Sequence, residues 1–325
     1  MIRAPVFLVI IRILQEWEGF LKKKFFHYFT DFIIHSPTSG RPEYTATNEL
    51  LPAAKTVPSL VQPKKGVMIV KNKVIATSSG RPTFFYKGNC VTISILPTLF
   101  HTRNVNGSSG NIHFRGDVEI EGEVEAGIRV EAERNILVEQ ALNKATMSAS
   151  RAVITHKNIL NSDIFAGVHT MLIVKLGQML QTVHLNIEKL SALLKQLCEL
   201  SKTQAGSHSY IQIENASTSR LYASENIFVL GSGCINTTIH SGGMVKIKGT
   251  LRGGEVYAKL GADIHRVGSD SGTATFIEVP ENQKICIKTA MKGTTIKIGS
   301  KTHTFNETTR QVTAAIDKSG RLMLE

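Results

Sequence analysis

A short phrase returns along this chain about every 17 residues, and such periodicity marks repeat architectures. It runs as an aliphatic residue, any residue, a small residue, three of any kind, then aliphatic, any, aliphatic. Val130, Ala132, Ile136 and Val138 state it. Met147, Ala149, Val153 and Thr155 repeat it one period on, and Ile164 and Ala166 begin it again after a further period. It returns as Leu221, Ala223, Ile227 and Val229, then as Ile239, Ser241, Val245 and Ile247 one position late, and as Val256, Ala258, Ala262 and Ile264 back in step. A fixed period of this length describes a solenoid, in which each coil buries its apolar side only against its neighbours. Alternation such as Asp117-Val118-Glu119-Ile120-Glu121 is that of strands with one face buried. The small third place points to a tight corner, where a bulky side chain would meet the stacked coil above it. The chain is therefore expected to be mainly β, and to offer a long stiff surface without an automatic active-site cleft.

The phase of the phrase locates an insertion. It breaks off after Ala166-Gly167 and resumes at Ile211-Gln212-Ile213, the missing half of the same coil. Residues 168–209 are thus an excursion from one corner. Within them Leu172, Leu176, Met179, Val183, Leu190, Leu193, Leu197 and Leu200 keep a heptad-like rhythm, which predicts helix. A single helix of about 30 residues runs about 45 Å, too far for Lys202–Ser209 to return at about 3.6 Å per residue. A two-helix hairpin turning near His184–Asn186 closes the excursion, although no Gly or Pro marks that turn. A long helix paired with another subunit is the alternative. Leu176, Met179, Val183, Leu190 and Leu197 form the expected hairpin or oligomer seam in either case.

The flanks read differently. Over residues 6–34, Ile10, Leu14, Trp17, Leu21, Phe25, Tyr28 and Phe32 fall on one helical face, interrupted by Lys22, Lys23 and Lys24. Trp17, Phe20, Lys22, Lys23, Lys24 and Phe25 are the candidate membrane or partner contacts, against packing of the helix on the protein's own body. Residues 1–34 are thus an amphipathic basic helix and 35–64 a linker. Residues 65–106 read as a small β module with hairpins Val67–Val70/Lys73–Thr77 and Thr83–Tyr86/Val91–Ile95. The solenoid is assigned to 107–275 around the 168–209 insertion. Residues 276–325 are expected to be a C-terminal β cap over its open end.

The formal net charge is +12, and the basic excess is concentrated in residues 1–106, which suits an anionic partner as well as simple solubility. Four cysteines, Cys90, Cys198, Cys234 and Cys286, form no CxxC pair, which fits a reducing compartment better than a disulfide scaffold. No apolar run reaches the roughly 18–20 residues of a membrane span, and Pro5–Ile11 lacks the flanks of a signal peptide. GxGxxG, Walker A, HExxH and CxxC phrases are all missing. Gly231-Ser232-Gly233 reads as a turn between coils and Arg252-Gly253-Gly254 as a tight corner. His113 and His156 read as surface or core-edge residues. No residue is nominated for catalysis, a cofactor or a metal.

Four stretches resemble the flagellar assembly protein A family, long catalogued as a domain of unknown function. Ser109–Val124 looks like the family's opening into its β-solenoid, Asn158–Gly167 its coil before a helical insertion, Gly249–Ala258 its Arg-Gly-Gly coil, and Val267–Thr275 its exit. Lys65–Thr77 with Ser79–Pro82 resembles the module ahead of the solenoid. The resemblance implies a right-handed parallel β-helix in a cytoplasmic bacterial protein without established catalytic residues, and a link to flagellar assembly. It covers about residues 65–325. Residues 1–64 match none of the family's stretches, and the insertion is shorter than the family's coiled-coil hairpins.

The favoured expectation is a non-catalytic scaffold that binds protein partners or self-associates, with peripheral membrane contact through residues 6–34 and nucleic acid not favoured. One rival is a β-helix enzyme acting on carbohydrate or transferring acyl groups. Strict steps of the shorter period break the register of hexapeptide acyltransferases, and polysaccharide lyases have longer coils. The other rival is a peripheral membrane adaptor.

Overall fold

Aliphatic side chains at alternate positions of short strands can bury one face only, and stacking equivalent strands in register satisfies both their side chains and their backbone. The computed structural model shows this arrangement. It describes residues 59–167, apart from 71–72, 79 and 88–89, and residues 209–325, together with the short strands Arg3–Ala4, Ile33–His35, Glu43–Tyr44 and Leu50–Leu51. The chain divides into two compact units, Met1–Leu99 with Ile112–Asp117, and Phe100–Asn111 with Val118–Glu325.

In the second unit each coil carries three strand-bearing faces, built from parallel pairs one coil apart. The first face stacks Val118, Ile136, Val153, Ile211, Ile227, Val245, Ala262 and Ile285 in one column. The second stacks Val105, Val124, Leu142, Ile159, Ala216, Cys234, Leu251, Val267 and Ala290. On the third, Val130, Met147, Ile164, Leu221, Ile239, Val256, Ile277 and Ile296 stand in line. Nearly all of these side chains are fully buried. The solenoid runs for about nine coils, and no helix occurs among the described residues.

The small places of the phrase form a column of their own, Ala132, Ala149, Ala166, Ala223, Ser241 and Ala258, all buried at the end of the third face. The opposite end of that face is entered through a single left-handed residue. Lys144, Asn161, Thr218 and Asn236 hold φ of 50°, 47°, 49° and 45° on successive coils. Beside them run buried hydroxyls: Ser162 and Ser219 donate their Oγ protons to the Leu160 and Ser217 carbonyls, and Thr237 donates to Ile235. In the next coil Gly253 and Gly254 take this corner at φ 70° and 83°. A Cβ on Gly254 would lie 2.3 Å from the Thr237 carbonyl oxygen, so the Arg-Gly-Gly phrase is the tight corner its sequence suggests.

The interrupted coil is where the phase of the phrase put it. The chain leaves at Gly167 and is back by Ser209, and Ile211 stacks between Val153 and Ile227. The expected helical insertion over 168–209 lies outside the described residues, save Ser209.

Four expectations change. Parallel pairing continues past 275 to Thr294–Ile298, and the antiparallel cap is Lys301–Thr304, Thr309–Ile316 and Leu322–Leu324. The phrase fades because two loops lengthen the coils: Ile264 pairs with Ile287, a longer step than the phrase allows, while the core stays in line. Gly231 and Gly233 lie within the strand Asn226–Ser241, where the register shifts, and not in a turn between coils. Part of the expected linker is also strand. Ser59–Pro63 pairs in parallel with Cys90–Leu96, and Val61 packs on the cluster of Val74, Ala76, Val91, Ile93 and Ile95. Pro63 ends that strand, where a missing N–H costs little, and the flanking prolines hid it. Of the expected helix over 6–34, Ile33 and Ile34 belong to the strand Ile33–His35; the rest lies outside the described residues.

Two groups in the coils are expected to cost stability. Thr218 is β-branched at φ 49°, a conformation that costs such residues on the order of 1–2 kcal/mol. Thr218→Asn, copying Asn161 and Asn236, should raise the urea midpoint by an amount equivalent to about 1 kcal/mol; an unchanged midpoint would show that the corner stores no strain. Thr155 Oγ1 is buried, with no hydrogen-bond partner among the described residues. Thr155→Val keeps the shape and removes the orphaned hydroxyl, so it should stabilise by about 1 kcal/mol; a loss of stability would mean that the hydroxyl is satisfied.

Candidate functional site

The inward residues of a solenoid are committed to its core, so any site must be built from outward ones. On the third face the outward position between the aliphatic and the small residue forms a register column: Glu131, Ser148, Phe165, Tyr222, His240 and Tyr257. Four successive rungs of it are rings. Phe165 and Tyr222 stack at 5.4 Å and 12°, Tyr222 and His240 at 5.0 Å and 15°, and His240 and Tyr257 at 4.4 Å and 16°. Phe276 follows at 6.1 Å but tilted by 57°. The tilt has a cause in the register: Tyr257 faces Glu278 directly, and Phe276 sits diagonally, opposite Glu255. Each such ring pair contributes roughly 0.5–1.5 kcal/mol beyond its buried area.

Charged groups line the ladder. Arg220 grips Asp163 on the rung before through Nε to Oδ1 at 2.7 Å and Nη2 to Oδ2 at 2.6 Å. That hydrogen bond holds the guanidinium above its ordinary value. The Tyr257 hydroxyl donates to Glu255 Oε2 at 2.9 Å, which raises the phenol's pKa. Lys297 meets Glu278 at 2.9 Å. His240 is the one titratable imidazole within the stack. Burial lowers its pKa, and the Glu255 carboxylate pulls less strongly the other way.

The chemistry open to this surface is limited. The ring faces are occupied by one another and Phe165 is buried, so the edges and polar atoms of Tyr222, His240 and Tyr257 are what a partner meets. That differs from a platform of free ring faces, on which a sugar could stack. Cys234 is buried in the second-face column, and burial pushes its thiol up to about 12, which keeps it protonated. His156 makes an exposed pair with Glu139 at 2.7 Å. Among the described residues no cluster of His, Cys, Asp or Glu could hold a metal ion.

The site residues nominated from the sequence are not brought together here. Trp17, Phe20, Lys22, Lys23, Lys24 and Phe25, and likewise Leu176, Met179, Val183, Leu190 and Leu197, lie outside the described residues. The ladder itself escaped the sequence reading, although its signal was present: the unrestricted second place of the phrase is aromatic or His in four successive coils.

A family model, the Flagellar Assembly Protein A beta solenoid domain, matches residues 97–289, more than half of the chain. The chain belongs to the flagellar assembly protein A family. The match begins at the strand Thr98–His101 and takes in both sides of the interruption as well as the ladder, ending one strand short of Thr294–Ile298, the last parallel strand of the solenoid. No curated protein and no solved structure gives a significant match. In this family member the Arg-Gly-Gly corner and the coil ending in Phe165-Ala166-Gly167 are both parts of the solenoid proper.

The depressed pKa of His240 fixes a direction for acid sensitivity. The unfolded chain binds the imidazole proton more readily than the folded chain does. The stack's contribution is therefore complete above the ordinary value of 6.5 and is lost as the pH falls below it. His240→Phe keeps a ring in the ladder and removes the titration. Between about pH 8 and about pH 5 its urea midpoint should fall less than that of the parent chain; equal falls would show that His240 is not involved.

Proposed function

We propose that this family member is a non-catalytic scaffold linked to flagellar assembly, its solenoid a stiff rod that carries partner-binding elements. The observation that supports this most is the commitment of its residues. Aliphatic columns fill the inside of every coil, and the rings on the third face are spent on one another, which stiffens the coils on either side of the interruption. The β-helix is right-handed in this reading, and the protein works in the bacterial cytoplasm. The 168–209 insertion is a helical arm for protein partners, since its leucine rhythm needs a second apolar surface. Residues 6–34 are a basic amphipathic segment for a membrane surface; among the described residues no helix is long and apolar enough to cross one.

The two arms have separate tests. Joining Gly167 to Ser209 by a short Gly-Ser link should leave the solenoid's circular dichroism and unfolding midpoint nearly unchanged. The same change should abolish recovery of flagellar assembly proteins with the tagged chain from its native host. Equal recovery by both forms would overturn the role of the insertion. For the other arm, vesicles containing anionic lipid should sediment the full chain and leave a chain lacking residues 1–35 in the supernatant; equal sedimentation sinks the membrane role.

A further inference from the structure

The second face carries a pattern that no core requirement explains. Along two of its outward columns the charge runs from glutamate on an early coil, through neutral residues, to arginine on late coils; Asn104 and Asn106 precede the glutamates, and Lys144 marks the corner beside Asn143. One column reads Glu125, Asn143, Leu160, Ser217, Ile235, Arg252 in direct register. The column beside it runs from Asn104 through Glu123 to Arg266 on the coil after Arg252. Glu123, Glu125 and Arg252 are exposed and form no ion pair among the described residues. Arg266 has only an exposed contact with Asp270 at 3.5 Å, of a kind worth little. Leu160 and Ile235 are 42% and 46% exposed, one coil to either side of Ser217.

Such a face is complementary to itself when turned end for end. We infer that it pairs with the same face of a second copy, antiparallel, about a two-fold axis through the Ser217 rung. Leu160 then meets the partner copy's equivalent of Ile235, and the two apolar contacts lie next to the axis. Three rungs out, Glu123 and Glu125 stand opposite the partner copy's Arg266 rung. Two rungs out, Asn143 faces Arg252, whose long side chain reaches the glutamates one rung of about 4.8 Å further on. Every contact is made twice, as an isologous interface requires. A parallel pairing would set glutamate on glutamate and arginine on arginine. The chain leaves for the 168–209 insertion at the corner between the third and first faces, so the second face is not where the insertion departs. An extended anionic partner would match only the late coils and would be repelled by the early ones. This pairing deepens the scaffold reading and rests on it only in treating self-assembly as a use of the rod.

Light scattering on the full chain tests the pairing. At low salt the mass should be twice 35.6 kDa and should fall toward one chain as salt screens the rim charges. Glu123→Lys with Glu125→Lys should give a monomer, as should Arg252→Glu with Arg266→Glu. Mixing these two variants, or combining all four changes in one chain, should restore the dimer. A monomeric parent chain overturns the inference, and so does a dimer that survives either reversal, since another surface would then hold it. Should charge reversal unfold the chain, Ser217→Cys decides: oxidation should cross-link it to a dimer that the parent chain does not form, and no new cross-link counts against the pairing. A chain that stays monomeric yet still recovers its partners overturns the pairing alone and leaves the scaffold reading intact.

Discussion

Everything in this protein depends on the in-register stacking of aliphatic side chains from one coil to the next. Val118, Ile136, Val153, Ile211, Ile227, Val245, Ala262 and Ile285 stand one above another. Two further columns repeat the arrangement on the other faces. Burying one such side chain contributes about 1.5–3 kcal/mol, but only if the coil above presents its own aliphatic residue at the same place. Register is therefore enforced by every rung at once. A slip of one residue would turn an entire coil's apolar set outward.

Stacking also dictates what the corners may contain. Where the third face ends, coils approach so closely that Ala or Ser is required in six successive rungs. Where it begins, the backbone turns through one left-handed residue per coil, and the freed hydrogen-bonding capacity is taken up by buried Ser and Thr hydroxyls. Outward positions escape these constraints, which is why all the individuality of the surface is found there. The aromatic ladder on the third face and the graded charge of the second face are both written in residues that the core leaves unspecified. Because the register is strict, each outward residue has a defined neighbour one coil away, so a run of similar choices becomes a stripe.

Much of this was legible in the chain itself. The phrase named the inward residues and the small corner residues, and its broken phase identified Ile211 as the continuation of the coil that contains Ile164. Strand positions near the C-terminus were also legible, but their pairing was not. Phe276–Val279, Lys284–Lys288 and Thr294–Ile298 read as a separate cap because loops at 268–274 and 280–284 lengthen the spacing. Periodicity measures distance along the chain, whereas a solenoid core measures only position around the coil. The strand at Ser59–Pro63 was hidden for a related reason. Prolines at and before it signal irregular backbone locally, and only the pairing with Cys90–Leu96 shows that Pro63 ends a strand.

The repeat in the chain is enough to dictate the class of fold, most of the core and the place of the interruption, because the coils from Val130 to Ile264 all obey it. Folding in three dimensions sets where parallel stacking ends. It also brings Phe165, Tyr222, His240 and Tyr257 ring to ring, although the whole insertion separates Phe165 from Tyr222 along the chain. Likewise it places glutamates at 123 and 125 on one face with arginines at 252 and 266. Those facts depend on which outward residues come to lie side by side, and burial, which writes the phrase, does not select them.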